Sequence, residues 1–287
     1  MLCYVSKAQI VSNTRAKRKD YLMSASLPGV YPALKKDGSI YYRASITYKG
    51  KHISLGSYKT EQTAHTAYKE ADALLTSDKD KMPEDYPNTA SLSFFKWVIL
   101  TNYHNNHIYI KTPVYLKERY FHYYLSKEEF LIFDADDLFY YSTHSIMKRG
   151  GHLFVSDYGM QVNILSRYGI KNFAVPGRDY RFANGNTNDY RYENIIIINR
   201  YHGVTCEKKG VHTCYTAKIH INGNTIIGRY ETEELAAIAY NKAAKILQKK
   251  GCRKNFPINY LENLTAAEYQ NLYENISISH AIHTMQF

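Results

Sequence analysis

Residues 42–71 read YRASITYKGKHISLGSYKTEQTAHTAYKEA, and residues 215–243 read YTAKIHINGNTIIGRYETEELAAIAYNKA. The two stretches share one frame. Tyr-x-Ala-x-Ile is followed by a turn containing Gly50 or Gly223, and then by Gly56 or Gly228. Tyr58 or Tyr230, Thr60-Glu61 or Thr232-Glu233, Ala64 or Ala236, and Ala67-Tyr68 or Ala239-Tyr240 follow in the same order. Each copy also opens on Gly-Val, at Gly29-Val30 and Gly203-Val204. Self-similarity of this kind marks a duplicated structural unit.

Each copy reads as three strands and a helix. Val30 to Leu34 forms a first strand, ended by the turn residues Lys36-Asp37-Gly38. From Tyr41 to Tyr48 the chain alternates, with Ala44 and Ile46 on one side and Arg43, Ser45 and Thr47 on the other. Ile53 and Leu55 point inward from the third strand. Thr60 and Thr232 are N-caps, each before an alanine-rich helical stripe, and Gly251 closes the second helix. With one face on the helix, the other sheet face is polar. It carries Arg43, Ser45, Thr47, His52 and Ser54 in copy one, and Thr216, Lys218, His220 and Asn224 in copy two.

This pattern resembles the apetala-two/ethylene-response-factor DNA-binding domain, in the short version found beside bacterial and phage HNH nucleases. The resemblance rests on the Gly-x-Tyr-x-Thr-Glu hinge into an alanine-rich helix, and implies that the sheet, rather than the helix, meets DNA. A ribbon of strands fits the width of a major groove. The expected DNA contacts are Arg43, Ser45, Thr47, Lys51, His52 and Ser54, with Lys35 and Lys36, in the first copy. In the second they are Lys218, His220, Asn224 and Arg229, with Lys208 and Lys209. One departure stands out. The family carries arginines on the first strand, where this chain has Tyr31 and Ala33, then Thr205 and Glu207.

Before the second copy stands ANGNTNDYRYENI, residues 183–195. It resembles the last part of the HNH homing-endonuclease motif, matched by Asn184, Gly185, Asn186, Asp189, Arg191, Glu193 and Asn194. GHLFVSDYGMQVNILSRYGI, residues 151–170, looks like that family's hairpin and following helix. The resemblance implies a ββα-like shape over about 140–200. It also implies lost chemistry. Such a site needs an Asp and an Asn to hold a divalent metal and a His to activate water. The Asp-His pair falls on Arg181-Phe182, and the central Asn falls on Tyr190, leaving only Asn194 as a metal-ligand position. Arg181 in place of an acid favours a phosphate. Asp179 and His152 are close in sequence but occupy no motif position.

Charge follows the same division. The chain has 287 residues and net charge +11, of which the arm 1–28 holds +4, residues 29–75 hold +3 and residues 202–252 hold +4. Residues 76–201 hold +1 and the tail −1. Focal positive charge attracts phosphate. Arg15, Lys17, Arg18 and Lys19 make the arm a possible phosphate or minor-groove contact, with a solvated helix face the equal alternative. No run of about 18 apolar residues is present, and the start has neither the apolar core nor the small-residue cleavage pattern of a secretory leader. The four cysteines form no CxxC pair, which fits reduced thiols. His202, Cys206, His212, Cys214 and His220 cluster in sequence without zinc-finger spacing, and strand alternation puts several on opposite faces. No nucleotide-binding glycine motif occurs. The aromatic run 94–141 reads mainly as core, and Asp134 to Asp137 as the cap of a helix running toward Lys148.

The resulting expectation is an α+β chain. A basic arm (1–28) precedes a first module (29–76), a linker (77–93), a central aromatic-rich domain with the degenerate HNH-like part (94–201), a second module (202–252) and a helical tail (253–287). It is a cytoplasmic, nucleoid-associated protein that binds double-stranded DNA, without cofactor or membrane contact, and a monomer with two modules suffices. The function expected is transcriptional regulation by a catalytically inactive relative of a mobile-element nuclease. The alternatives are an active HNH-type endonuclease and a protein-interaction scaffold.

Overall fold

Chain contacts divide the protein into two units, up to Met147 and from Lys148 onward. The computed structural model describes residues 26–209 and 212–287, with the Lys209 side chain excepted. Arg15, Lys17, Arg18 and Lys19 of the basic arm lie outside the described residues. The fold is mixed α and β, built from several small antiparallel three-stranded sheets with helices.

In the first unit, β1 (Val30–Leu34), β2 (Ile40–Tyr48) and β3 (Lys51–Tyr58) form an antiparallel sheet under α1 (Glu61–Leu75). Thr60 caps α1, its Oγ1 accepting from Thr63 N at 3.2 Å. Ala64, Ala67, Ala71, Leu74 and Leu75 are buried against the sheet. The register passes from Ala44↔Gly56 to Ser45↔Ser54, so Leu55 is an extra residue on β3. Leu55 is buried beside Ile53, and the alternation shifts by one after it, so that Ser57 is exposed.

The second unit repeats this geometry. β12 (Val204–Lys209), β13 (His212–His220) and β14 (Asn224–Tyr230) form the same antiparallel order, followed by the helix Glu233–Lys249. Thr232 Oγ1 accepts from Leu235 N at 3.2 Å. The bulge recurs between Ala217↔Gly228 and Lys218↔Ile226, where Ile227 is the extra residue and is buried like Leu55. Gly29 and Gly203 have φ of 75° and 71°. Their carbonyls accept from Ser45 N at 3.0 Å and Lys218 N at 2.7 Å. In each module a tyrosine of the helix, Tyr68 or Tyr240, lies where a Cβ on that glycine would stand. In each, the first-turn glutamate accepts from the incoming chain: Glu61 from Leu27 N at 2.9 Å, Glu233 from Arg200 N at 2.6 Å. Alternation and capping predict the two modules' elements. The bulge is not legible from alternation, because it breaks it.

Residues 77–93 do not run as a free spacer. Glu70 of α1 accepts from Ser91 N and Leu92 N at 3.0 and 2.8 Å, and Trp97 Nε1 donates to Met82 O at 3.2 Å. These bonds dock α2 (Phe94–Asn106) on the first module, whose core Leu92, Trp97, Leu100 and Tyr103 extend. The boundary at Met147 and Lys148 thus falls inside the stretch 94–201 read as one central domain. β4 (Val114–Leu116), β5 (Tyr120–Tyr124) and β6 (Phe130–Asp134) make a meander with Tyr115, Phe121, Tyr123 and Phe133 buried. The aromatic run is therefore largely core, apart from side chains such as Phe95 and Phe139. The acidic stretch caps no long helix. α3 spans only Leu138–Tyr141, and β7 (Ile146–Arg149) places Lys148 in a strand.

After β8 (His152–Asp157) and β9 (Met160–Asn163) comes a five-residue 3-10 turn, Ile164–Tyr168, ended by Gly169 at φ 70°. β10 (Tyr180–Phe182) pairs with β11 (Ile195–Ile197) around the loop 183–194. No α-helix occurs among the described residues between α3 and the second module's helix, so the expected ββα shape is replaced by hairpins and 3-10 turns. That helix is α4 (Glu233–Lys249), and the tail adds α5 (Ala266–Asn275) and α6 (His280–Thr284). The tail packs on the second module. Asn241 and Asn259 exchange two hydrogen bonds at 2.8 and 2.9 Å, Ser279 N donates to Ile227 O, and Ile282 is fully buried. No helix among the described residues is long and apolar enough to cross a membrane.

Candidate nucleic-acid interface

The outer face of the first module centres on Arg43. It stands between Tyr31 of β1 and Ser57 of β3. Its Nε and Nη2 donate to Tyr41 Oη at 3.1 and 2.7 Å, which orients the guanidinium without cancelling its charge. Among the described residues no carboxylate pairs with it. Lys35, Lys36 and Lys51 are exposed nearby in sequence, at the ends of strands. Asp37 shares the first turn, but it accepts from Ser39 N at 2.8 Å and Ser39 Oγ at 2.7 Å, and these bonds hold its carboxyl below the ordinary range. Thr47 and His52 are exposed and joined, Oγ1 to Nδ1, at 3.4 Å, and Ser54 is exposed. Ser45, expected on this face, is instead only 9% exposed between the buried Ala44 and Ile46, so it offers a groove little.

The second module's face has the same layout and a different charge. Glu207 on β12 lies 3.5 Å from Lys218 Nζ and 3.9 Å from Arg229 Nε. The Thr216 hydroxyl, with Lys218 and Arg229, holds the Glu207 carboxyl below its usual range. Two of the expected DNA contacts are thus shared with one acid. Thr216 itself is fully buried, so it is no contact residue. His220 and Asn224 are exposed and linked at 3.1 Å, and Lys208 is exposed. The side chain of Lys209 lies outside the described residues.

The HNH-like residues are brought together, but as the braces of a loop. Asn194, 3% exposed, accepts from Asn184 N at 2.8 Å and donates to Asp189 O at 2.8 Å. Asp189 binds Arg191 through two bonds of 2.9 and 2.7 Å and accepts from Asn184 Nδ2 at 2.9 Å. Burial raises the Asp189 pKa, and these bonds more than offset it, leaving the carboxyl ionised below its usual range. The motif's polar groups therefore satisfy one another. Arg181 is exposed on β10 opposite Ile196. Among the described residues no group of three His, Cys, Asp or Glu is arranged to hold a metal ion.

Asp179 has a structural part that the sequence does not announce. It is 1% exposed and bound to Lys171 Nζ at 3.1 Å, Arg178 Nη2 at 2.7 Å and Val175 N at 2.8 Å. The signal in the sequence is only the Arg178-Asp179 neighbourhood after Pro176-Gly177. Its partner Lys171 is recognisable only once the chain has folded back. Nearby, burial and then the charge of Lys171 push the His202 imidazole below its ordinary value of 6.5. A histidine held neutral by the fold favours the folded state above its unfolded pKa, and that contribution is lost as pH falls toward the lower folded value. The melting temperature of the chain is expected to fall on going from pH 7.5 to about pH 5.5. Part of that fall should vanish in His202→Asn.

Comparison with protein-family models, curated proteins and solved structures finds no match to this chain.

Proposed function

We propose that this chain is a duplex DNA-binding protein without nuclease chemistry, acting as a sequence-specific transcriptional regulator through two duplicated sheet modules. The observation that carries this reading is the repeated ββ-bulge-β-helix unit with a cation-bearing outer face, most open at Arg43. Two weak heads on one chain raise affinity through effective concentration when both engage. The heads are unequal. Arg43 has no acidic partner among the described residues, whereas Glu207 draws on Lys218 and Arg229.

Binding to random duplex should weaken steeply with salt, because each phosphate contact releases counterions. Arg43→Ala is expected to cost roughly 1–3 kcal/mol of specific binding. Glu207→Gln should tighten binding several-fold and steepen the salt slope by about one, as it frees a cation for phosphate. Equal affinity of wild type and Glu207→Gln would remove the second module from the interface. Nicking of supercoiled plasmid in magnesium or manganese would overturn the non-catalytic part. One observation favours a protein scaffold instead: Leu34 and Ile40 are exposed as a facing pair at the end of the β1–β2 ladder. A flat salt dependence would favour that reading.

A further inference from the structure

The loop KNFAVPGRD, residues 171–179, is fixed from within. Ala174 N donates to Lys171 O at 3.3 Å, and Arg178 N and Asp179 N both donate to Val175 O, at 3.2 and 2.8 Å. Gly177 N donates to Tyr180 O at 2.7 Å. The buried Asp179 carboxylate ties both ends together through Lys171, Val175 and Arg178. On this braced loop Phe173 has φ 63° and is 91% exposed. A bulky aromatic side chain in left-handed backbone is strained, and held out into solvent by a braced loop it gains no burial in return. Such strain persists where surrounding structure imposes it, and it points to a ligand.

The surroundings say which ligand. Phe173 borders a pocket of about 500 Å³ whose lining includes Arg178, Lys218, His220 and Thr205. Arg178 bonds Asp179 along one edge, and its side chain remains 57% exposed. Lys218 and His220 belong to the sheet face already assigned to DNA. An exposed aromatic ring beside basic groups matches one unit of a nucleic-acid strand, a base plus its phosphate.

We propose that this pocket receives a backbone phosphate of duplex DNA, on Lys218 and Arg178, while Phe173 wedges against a base at the adjoining step and partly unstacks it. The inference rests on the duplex-binding reading and adds to it a contact outside the repeated modules. Apolar wedges that open base steps bind best where the step is already weak.

The test uses the full chain and two labelled duplexes of about 30 base pairs, identical except for one central mismatch. Fluorescence anisotropy should show wild type binding the mismatched duplex about tenfold more tightly. Phe173→Ala should bind both within about twofold, with an unchanged melting temperature because the side chain is exposed. Phe173→Trp should keep the preference. Lys218→Gln should weaken both and lower the salt slope by about one. Equal binding of both duplexes by wild type, or a preference that survives Phe173→Ala, overturns the wedge and leaves the duplex-binding reading standing. Failure to bind either duplex overturns both.

Discussion

Asp179→Ala is expected to destabilise the second unit by about 3–5 kcal/mol, the usual consequence of removing one partner from a buried ion pair. The variant strands Lys171, whose side chain is 9% exposed, with Tyr201 O as its remaining acceptor at 2.8 Å. It also leaves Val175 N without its acceptor. Burial raises the Asp179 pKa, but the bonds from Arg178, Val175 N and Lys171 outweigh it, and the carboxyl sits below its ordinary 3.8. A depressed folded pKa gives stability that is present above the unfolded value and lost as pH falls through the folded one. Urea titrations should therefore show wild type and variant far apart at pH 7 and converging below about pH 3.8. Adding Lys171→Met should recover part of the loss, since the stranded charge is then gone. A loss under about 1 kcal/mol at pH 7 would mean the carboxylate is not the brace it appears in the geometry. The same variant releases the loop that presents Phe173, so the mismatch preference should disappear even where the chain remains folded.

The second large effect is at the opening glycines. Gly29→Ala and Gly203→Ala each place a Cβ in left-handed backbone, at φ 75° and 71°. In the first module that Cβ would stand 2.0 Å from Tyr68 Cδ2. In the second it would stand 2.3 Å from Tyr240 Cδ2 and 2.4 Å from the backbone oxygen of Lys218. Left-handed strain of about 1–2 kcal/mol adds to about 1–3 kcal/mol of overpacking. The expected loss per module is therefore several kcal/mol, read as a lowered denaturation midpoint. The two sites should differ in rescue. Tyr68→Ala should recover part of the loss from Gly29→Ala, because the ring is the nearest obstacle. Tyr240→Ala should recover little at Gly203, where a backbone oxygen cannot swing away. Equal rescue at both sites would contradict this geometry.

Much of the fold is legible in the residues themselves. Thr60 and Thr232 announce their helices, and Ala64, Ala67 and Ala71 announce a helix lying close on a sheet. Matching positions in two places announce the duplication. The candidate interface is legible only in part. Arg43, Thr47, His52 and Ser54 lie on the exposed face that alternation gives them. Ser45 and Thr216 obey the same alternation and are shielded by their neighbours. Over about 140–200 the resemblance implies a ββα-like shape, whereas the described residues form hairpins and 3-10 turns, and the residues matched to the motif bond a loop to itself. Motif letters specify which groups are present, whereas their partners depend on how the chain returns.

By itself the sequence determined the two modules, their capped helices and the positive charge that accompanies them, since these depend on periodicity and on neighbours within a few residues. The tertiary structure alone decided which cations are free. Glu207 meets Lys218 and Arg229 across strands, at 3.5 and 3.9 Å, while Arg43 bonds the Tyr41 hydroxyl and, among the described residues, pairs with no carboxylate. It alone decided that Asp179 braces a loop and leaves Phe173 in solvent. The reason is physical. Charge pairing and burial fall off over a few ångströms in space, and residues distant along the chain reach those distances only through the fold.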